Sequence, residues 1–233
     1  PLLQARSGAM AAQGGEGSPP VYHHVPISDN SGAMLGAFAV ALALLQRRRT
    51  GKGQFVHGSL LNSSMAIQSG EFVDFPGRPE TPRLDYLGED ATYRMYPCRD
   101  GHIFLGCRDD ATFAALCRAL GRGDMVDDER FATAEARRRN GAALAVALGL
   151  LFEAGTVGGL VAKLQAAGVP CAPVNYGRDV ILDEQIEANS LVAEHLPVDI
   201  GFEVKQRGLV VKLSETPGKV WRAAPGLGEH TAE

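Results

Sequence analysis

The chain has 233 residues, of which 45% are hydrophobic and 21% are charged, a composition typical of a globular protein and not of a disordered, collagen-like or coiled-coil one. Its 23 basic and 27 acidic side chains leave a formal net charge of −4, which gives no electrostatic support for general nucleic-acid binding. A length of 233 residues fits one large domain or two small ones.

The first part of the chain predicts alternating helices and extended pieces. Residues Gly8–Pro20 are rich in Gly, Ala and Ser and indicate a loop. The apolar run Gly32–Leu45 is too short to span a bilayer and predicts a buried core helix, ended by the cations Arg47–Arg49 and a glycine. A short extended piece at Gln54–Gly58 and a helix over Leu60–Phe72 follow. This alternation is typical of an α/β layer with a parallel sheet.

A domain boundary is predicted at Phe75–Pro82, because three prolines and a glycine in this stretch exclude regular structure. Beyond residue 92 the sequence predicts a β-hairpin with strands Tyr93–Cys98 and His102–Cys107 and Asp-Gly in its turn.

Helices follow the hairpin. One is predicted to be capped by Asp109 or Asp110 and to end at Leu120, and two more cover Thr133–Glu153 and Val157–Ala167. Short extended pieces and an irregular tail complete the chain, at Cys171–Val174, Val192–Val198, Gly208–Leu213 and from Thr216 onward.

The common catalytic motifs are absent from the sequence, which has no G-x-G-x-x-G after a strand, no P-loop, no H-E-x-x-H and no G-x-S-x-G. The four cysteines form no C-x-x-C pair and fit unremarkable thiols in a reducing compartment. The six histidines are scattered, so we expect no metal site. The residue patterns alone therefore lead to a soluble α/β protein and no further.

Three separated stretches carry a further signal. In chain order they are Asp29–Gly32 with the apolar helix and Arg49–Val56, then Gly168–Asn175 preceded by Asp128–Ala132, and finally Ala224–Thr231. Together they resemble the class III CoA-transferase family. The hairpin at Tyr93–Leu105 also resembles the one that opens the family's small domain. The order and spacing of these stretches agree with the family across nearly the whole chain.

The resemblance implies an α/β fold in which part of a Rossmann-like large domain is joined to a smaller α+β domain, within an interlocked homodimer. It assigns residues 1–74 to the C-terminal part of the large CoA-binding domain and residues 75–92 to a linker. Residues 93–190 would form the small α+β domain, and residues 191–233 a tail that returns to the large domain. We expect a cytoplasmic protein with no nucleic-acid or membrane partner.

The resemblance also implies where the nucleophile lies. In the family the catalytic aspartate precedes a Gln and a small-Gly turn, and Pro1–Gly8 resembles the segment that follows it. We therefore expect the aspartate immediately before Pro1, no catalytic residue in this chain, and an inactive C-terminal fragment. The implied reaction moves CoA between an acyl-CoA thioester and a small carboxylic acid through a covalent aspartyl intermediate. The CoA thioester is a substrate, and no permanently bound cofactor is implied.

Four residues of this chain are candidate binding residues by the same resemblance. Gln4, Tyr86 and Gly88 are candidates for substrate binding, and Lys52 is a candidate contact to a CoA phosphate. Ordinary roles stay open beside these, namely a turn hydrogen bond for Gln4, loop positions for Tyr86 and Gly88, and a surface lysine for Lys52.

Two other functions stay open at this point. An acyl-CoA racemase or epimerase would use acid–base chemistry at the α-carbon, which Asp85 or Glu89 could support. The chain could also be a non-catalytic CoA-binding or assembly module.

The stretch Leu84–Asp90 contains one glycine, whereas the formyl-CoA transferase branch has a glycine-rich loop near this point. This difference argues against oxalate or formate as substrates.

Overall fold

The computed structural model describes residues 1–14, 18–78, 86–195, 204–220 and 225–231. The chain forms two compact units, Pro1–Pro173 and Val174–Glu233. The helices of the first unit are α1 (Leu2–Arg6), α2 (Ala9–Gly14), α3 (Ile27–Thr50), α4 (Leu60–Ala66), α5 (Asp110–Ala119), α6 (Asp124–Asp127), α7 (Ala134–Arg139), α8 (Gly141–Glu153) and α9 (Val157–Ala166). Its strands are β1 (Gly88–Asp90), β2 (Tyr93–Cys98), β3 (Gly101–Gly106) and β4 (Cys171–Pro173).

The four strands form one antiparallel sheet in the order β1-β2-β3-β4. The predicted hairpin is confirmed, since β2 and β3 pair from Tyr93 opposite Gly106 to Cys98 opposite Gly101. The parallel sheet expected near the N-terminus is not found among the described residues, where every strand pair is antiparallel. The chain therefore combines helices with antiparallel sheets.

The apolar core lies between this sheet and the helices packed on it. In α8 the buried side chains Leu144, Leu148 and Phe152 recur every fourth residue, a spacing that places them on one helix face. The Phe152 ring stacks on Tyr96 of β2 with their centroids 4.8 Å apart. In β3 the buried residues Ile103 and Leu105 are two positions apart, as expected of a strand with one covered face.

Helix ends follow the predicted capping signals. Of the two candidate caps, the structure selects Asp109, whose carboxylate accepts a hydrogen bond from the Thr112 amide at 2.8 Å. Those hydrogen bonds hold the pKa of Asp109 below its ordinary value. Nearby, hydrogen bonds from Arg130 lower the pKa of Asp128 to about 2. Polar side chains thus fix the loops that join the core helices.

The single helix predicted over Thr133–Glu153 is wrong, because it is divided into α7 and α8 at Asn140. Asn140 leaves the helical region, with φ −104° and ψ 25°, and its side-chain amide donates to the Arg130 carbonyl at 3.1 Å. Asparagine readily makes such local side-chain bonds, and a glycine follows it, so helix continuation is weak here.

Three further expectations for the first part of the chain are corrected. The loop over Gly8–Pro20 contains α2, since Ala, Met and Gln are good helix formers. The helix over Leu60–Phe72 ends at Ala66 and is followed by a 3₁₀ turn over Ser69–Phe72. Residues Gln54–Gly58 form no strand, and none of the strands that the structure describes pairs with them.

Helix α3 differs most from its prediction. It extends over 24 residues and closes with Gly51 in the left-handed conformation, with φ 72°. It is not a buried core helix, since Ser28 and Ser31 are its only buried residues and Phe38 is 62% exposed. In the part of the chain that the structure describes, α3 has the length and composition to cross a membrane, a test that core helices also pass. Helices α8 and α9 lie at a bend of 113° to each other, and they have the length and composition to cross a membrane only if the two are counted as one span.

The second unit contains α10 (Asp179–Leu182), α11 (Glu184–Ala188) and the antiparallel pair β5 (Val192–His195) and β6 (Val204–Arg207). Asp183 caps α11 and accepts a hydrogen bond from Asn175 at 2.9 Å, and these bonds hold its pKa below the ordinary value. The predicted extended piece at Gly208–Leu213 forms no strand. Residues 196–198, 79–82 and Asp85, all named in the sequence analysis, lie outside the described residues.

We predict that Leu148→Ala lowers the free energy of unfolding by about 2–5 kcal/mol, because it removes a fully buried side chain and leaves a cavity. Leu150→Ala on the same helix is the matched control, since Leu150 is 66% exposed and its truncation should change stability by less than about 0.5 kcal/mol. Urea unfolding followed by circular dichroism measures both. Equal losses for the two variants would contradict this assignment of the core.

Candidate functional site

A group of buried polar side chains lies where α1, α3 and α4 meet. Its members are Gln4, Ser7, Ser28, Ser31, Ser63 and Ser64. Among the described residues up to 78, the only buried hydrophobic side chain is Ala9. The helices are close enough that a Cβ on Gly32 of α3 would lie 2.4 Å from Leu60 of α4. Small side chains such as serine fit between helices that lie this close together.

Hydrogen bonds join this group across the three helices. The Gln4 amide donates to the Val25 carbonyl at 3.1 Å, and Gln68 donates to the Ser7 hydroxyl at 3.3 Å. The Ser64 hydroxyl lies 2.7 Å from that of Ser28. The Gln4 side-chain oxygen is buried and has no hydrogen-bond partner among the described residues. Gln4, a candidate substrate-binding residue, therefore faces the helix junction and is only 2% exposed.

A cavity of about 280 Å³ lies beside β1, and we name it the β1 cavity. It is lined by Gln13, Tyr86, Leu87, Gly88, Glu89, Tyr93, Met95 and Phe104. The lining mixes aromatic and apolar side chains with a few polar groups, which is the usual character of a small-molecule site. The structure thus brings together two candidate substrate-binding residues, Tyr86 and Gly88.

Tyr86 is held in an uncommon conformation at the edge of the β1 cavity. Its φ is +57°, in the left-handed region that a bulky residue rarely occupies. Its hydroxyl donates to the Pro19 carbonyl at 2.9 Å. Backbone strain of this kind persists only where surrounding contacts hold it, and it is concentrated at binding sites. Tyr86 therefore connects the segment after α2 to the first strand of the sheet.

Gly88 is required by the close approach of β1 to β2. A Cβ at this position would lie 2.3 Å from the Tyr93 carbonyl oxygen and 2.5 Å from Arg94 Cα. The pairing register also shifts between Gly88 and Asp90, where β1 bulges. The glycine thus sets the wall of the cavity.

Glu89 is already paired at the rim of the β1 cavity. Its carboxylate accepts a hydrogen bond from Arg108 at 2.9 Å, and the Arg108 guanidinium carbon lies 3.5 Å from the centroid of the Tyr93 ring. Hydrogen bonds to Tyr93 and Glu89 raise the pKa of Arg108. Asp85, the other acid considered for proton transfer, lies outside the described residues.

Lys52 lies in the exposed connection after α3. Its ammonium group has no hydrogen-bond or ion-pair partner among the described residues, and neither Lys52 nor Gln4 is among the residues that line the β1 cavity. Within the same residues no group of three or more His, Cys, Asp or Glu could hold a metal ion.

Sequence reasoning missed Gln13, which α2 brings to the β1 cavity. The run Ala9–Gln13 carries a helix signal, but nothing in it indicates which surface the helix will face. Only the fold, which places α2 and β1 side by side, identifies this residue.

Known proteins of one family are similar to this chain over nearly its whole length. The family model described as CoA-transferase family III matches residues 1–231. The succinyl-CoA:glutarate CoA-transferase of Mus musculus is 28% identical over 232 residues, which are 99% of this chain and 53% of the mouse protein. The succinyl-CoA–D-citramalate CoA-transferase of Chloroflexus aurantiacus is 30% identical over 234 residues, which are 99% of this chain and 58% of that protein. The chain thus spans little more than half the length of these relatives.

Solved structures show the same fold. A CaiB/BaiF family protein from Brucella suis has a TM-score of 0.82 and 28% identity, covering 99% of this chain and 60% of that one. A Mycobacterium tuberculosis protein in an orthorhombic crystal form has a TM-score of 0.82 at 22% identity, covering 99% of this chain and 61% of that one. The second likeness concerns the fold alone.

We predict that Gly88→Ala lowers the free energy of unfolding by about 1–3 kcal/mol, because the added methyl group must displace the Tyr93 and Arg94 backbone. Gly149→Ala is the control, since nothing lies within 4 Å of its added Cβ in the middle of α8. That control should be neutral or stabilising by up to about 1 kcal/mol. Thermal unfolding of both variants tests this, and an unchanged Gly88→Ala protein would contradict the close approach.

Proposed function

The chain belongs to CoA-transferase family III, and on that premise we propose that the complete protein transfers CoA from an acyl-CoA thioester to a small carboxylic acid. The observation that carries this proposal is the family match, which extends over residues 1–231 and so includes every candidate residue named above. The racemase and binding-module alternatives have no such support, because the named relatives above are CoA-transferases.

We further propose a dicarboxylic substrate pair. The relatives from Mus musculus and Chloroflexus aurantiacus are named for succinyl-CoA as donor and for glutarate or D-citramalate as acceptor. All of these acids carry a second carboxylate away from the reacting one. Succinyl-CoA and glutarate are therefore the first substrates to test, with CoA thioester as substrate and no permanently bound cofactor.

The proposed mechanism is nucleophilic covalent catalysis by an aspartate that immediately precedes Pro1 in the complete protein. Its carboxylate attacks the thioester carbonyl carbon, the CoA thiolate leaves, and an acyl-aspartyl anhydride forms. The thiolate then attacks the aspartyl carbonyl, which releases the donor acid and gives an aspartyl-CoA thioester. The acceptor carboxylate repeats these steps in reverse order, takes the CoA and restores the aspartate. Preorganised donors would stabilise the oxyanions that develop.

The fold supports the β1 cavity as the place where the acid group binds. Helices α1 and α2 follow Pro1 directly, Gln13 of α2 lines the cavity, and the Pro19 carbonyl accepts the Tyr86 hydrogen bond. The segment next to the proposed nucleophile is therefore tied to the start of the antiparallel sheet. We propose Tyr86 and Gly88 as substrate-binding residues in this cavity.

Gln4 and Lys52 have separate proposed roles. The buried Gln4 amide donates to the Val25 carbonyl and so holds α1 in place. In the proposed role, Gln4 positions the backbone that follows the nucleophile, and it contacts the substrate from this position. The exposed ammonium group of Lys52 is free to meet a CoA phosphate. Both assignments stay predictions of the sequence.

The exposed apolar surface of α3 and the residues after it supports a larger assembly. Phe38 is 62% exposed and Phe55 is 91% exposed, although apolar side chains of this size are stabilised by burial. We propose that the rest of the protein and a second copy cover this surface in an interlocked, cytoplasmic homodimer with no nucleic-acid or membrane partner. The division into residues 1–74, 75–92, 93–190 and 191–233 is part of the same proposal.

We predict that the complete protein exchanges CoA between succinyl-CoA and glutarate, and that replacing the aspartate proposed before Pro1 by Ala lowers kcat at least about 10³-fold, because the nucleophile is lost. The 233-residue chain alone should be inactive. Liquid chromatography of the CoA esters measures the exchange. A complete aspartate-to-Ala variant with normal turnover would contradict the mechanism, and no exchange with any dicarboxylate would contradict the substrate class.

We also predict that the complete protein is a dimer and that Phe38→Arg shifts it toward monomer, because a charge would then lie on the proposed contact surface. Val146→Arg is the matched control, since Val146 is similarly exposed at 65% but lies on α8. Light scattering coupled to gel filtration gives the mass of each variant. A monomeric parent protein, or equal effects of both variants, would contradict the proposal.

A further inference from the structure

A second cavity, lined in part by the β1–β2 turn, is also lined by three arginines and has a volume of about 180 Å³. We name it the arginine cavity. Its polar lining residues are Arg108, Arg137, Arg138, Asp90 and Thr92. We propose that the arginine cavity is a binding site for one oxyanion group, a phosphate or a carboxylate. This inference does not rest on the proposed CoA transfer.

Arg137 is the buried arginine in the lining of the arginine cavity. Its side chain is only 6% exposed, it donates to the Phe131 carbonyl at 3.0 Å, and it forms an ion pair with Asp110. The guanidinium carbon lies 4.4 Å from the centroid of the Phe113 ring. These partners hold the buried guanidinium in one position.

Arg108 is a second arginine in the lining, and 56% of its side chain is exposed. Its guanidinium lies over the Tyr93 ring and pairs with Glu89, as described for the β1 cavity. The two acids that pair with Arg108 and Arg137, namely Glu89 and Asp110, are not among the residues that line the arginine cavity. Both cations are therefore held by partners outside the cavity that they line.

Arg138 differs from these two in having no acidic partner. It is exposed, and among the described residues its guanidinium has no hydrogen bond or ion pair. The acid in the lining is Asp90. One of its carboxylate oxygens accepts hydrogen bonds from the Thr92 amide at 2.7 Å and from the Thr92 hydroxyl at 2.8 Å, both within the β1–β2 turn. Asp90 thus serves the turn and forms no ion pair with the arginines.

The resulting arrangement suits an oxyanion. Of the three arginines in the lining, Arg138 is the one without an acidic partner, so its donors are available to an anion. Guanidinium groups match phosphate and carboxylate oxygens with paired hydrogen bonds. Because Arg137 is buried and already paired, it needs little further ordering on binding. The volume admits a single such group and not a whole CoA molecule.

Calorimetry on the complete protein tests the site with four probes: inorganic phosphate, succinate, CoA and 3′-dephospho-CoA. Arg138→Ala should weaken binding of the preferred probe by about tenfold, as expected for one charge-assisted hydrogen bond. Loss confined to phosphate identifies a free phosphate, and loss confined to succinate identifies a carboxylate. Loss for CoA but not for 3′-dephospho-CoA identifies the ribose phosphate of CoA.

Arg139→Ala is the matched control. Arg139 is the neighbouring residue on α7, is exposed, pairs with Glu135 and does not line the cavity. It should leave binding of every probe unchanged, while Arg138→Lys should keep part of the affinity. Thermal unfolding checks that all three variants are folded. Binding of none of the four probes, or equal effects of Arg138→Ala and Arg139→Ala, would overturn the proposal even if CoA transfer is confirmed.

Discussion

The stack of Phe152 on Tyr96 joins α8 to β2 inside the apolar core, and the Tyr96 hydroxyl reaches out of that contact to the Ala91 carbonyl. A buried hydroxyl without a partner would cost about 1–3 kcal/mol, so this bond fixes where the turn between β1 and β2 can lie. Both cavities depend on that turn. Glu89 precedes it and lines the β1 cavity, whereas Thr92 follows it and lines the arginine cavity. The apolar core therefore sets the geometry of the polar surfaces that surround it.

The first helices are held by a different kind of interaction. Where α1, α3 and α4 meet, the buried side chains are serines and Gln4, and each hydrogen bond among them contributes only about 1 kcal/mol net. A buried leucine contributes about 1.5–3 kcal/mol, but the leucines of α3 are outside this junction and largely exposed. Hydrogen bonds of this kind specify how the helices fit together more than they stabilise them. These helices therefore bury little apolar surface among themselves.

Local signals predicted the elements whose residues decide their own conformation. The Asp-Gly turn fixed the β2–β3 hairpin, and Asp109 fixed the start of α5, because both act within three residues of themselves. Tertiary context decided the others. Gln54–Gly58 has the composition of a strand but pairs with none of the described strands, and Asn140 interrupts a helix through a bond to the Arg130 carbonyl, ten positions away. Neither a missing partner strand nor a distant carbonyl can be read from a local window.

The candidate site divides in the same way. Tyr86 and Gly88 became candidates through the family resemblance, which compares the stretch Leu84–Asp90 with a glycine-rich loop, so one stretch of sequence carries both. Gln13 and the three arginines were not predicted, because α2, the connection after β3 and α7 bring them to their cavities from separate parts of the chain. Arg137 and Arg138 are neighbours in a row of three arginines that reads as the cationic end of a helix. The three arginines differ in what surrounds them. Arg137 is buried over the Phe113 ring, Arg138 lines the arginine cavity without an acidic partner, and Arg139 pairs with Glu135 at the surface. Identical side chains thus acquire different chemistry from their positions on a single helical turn.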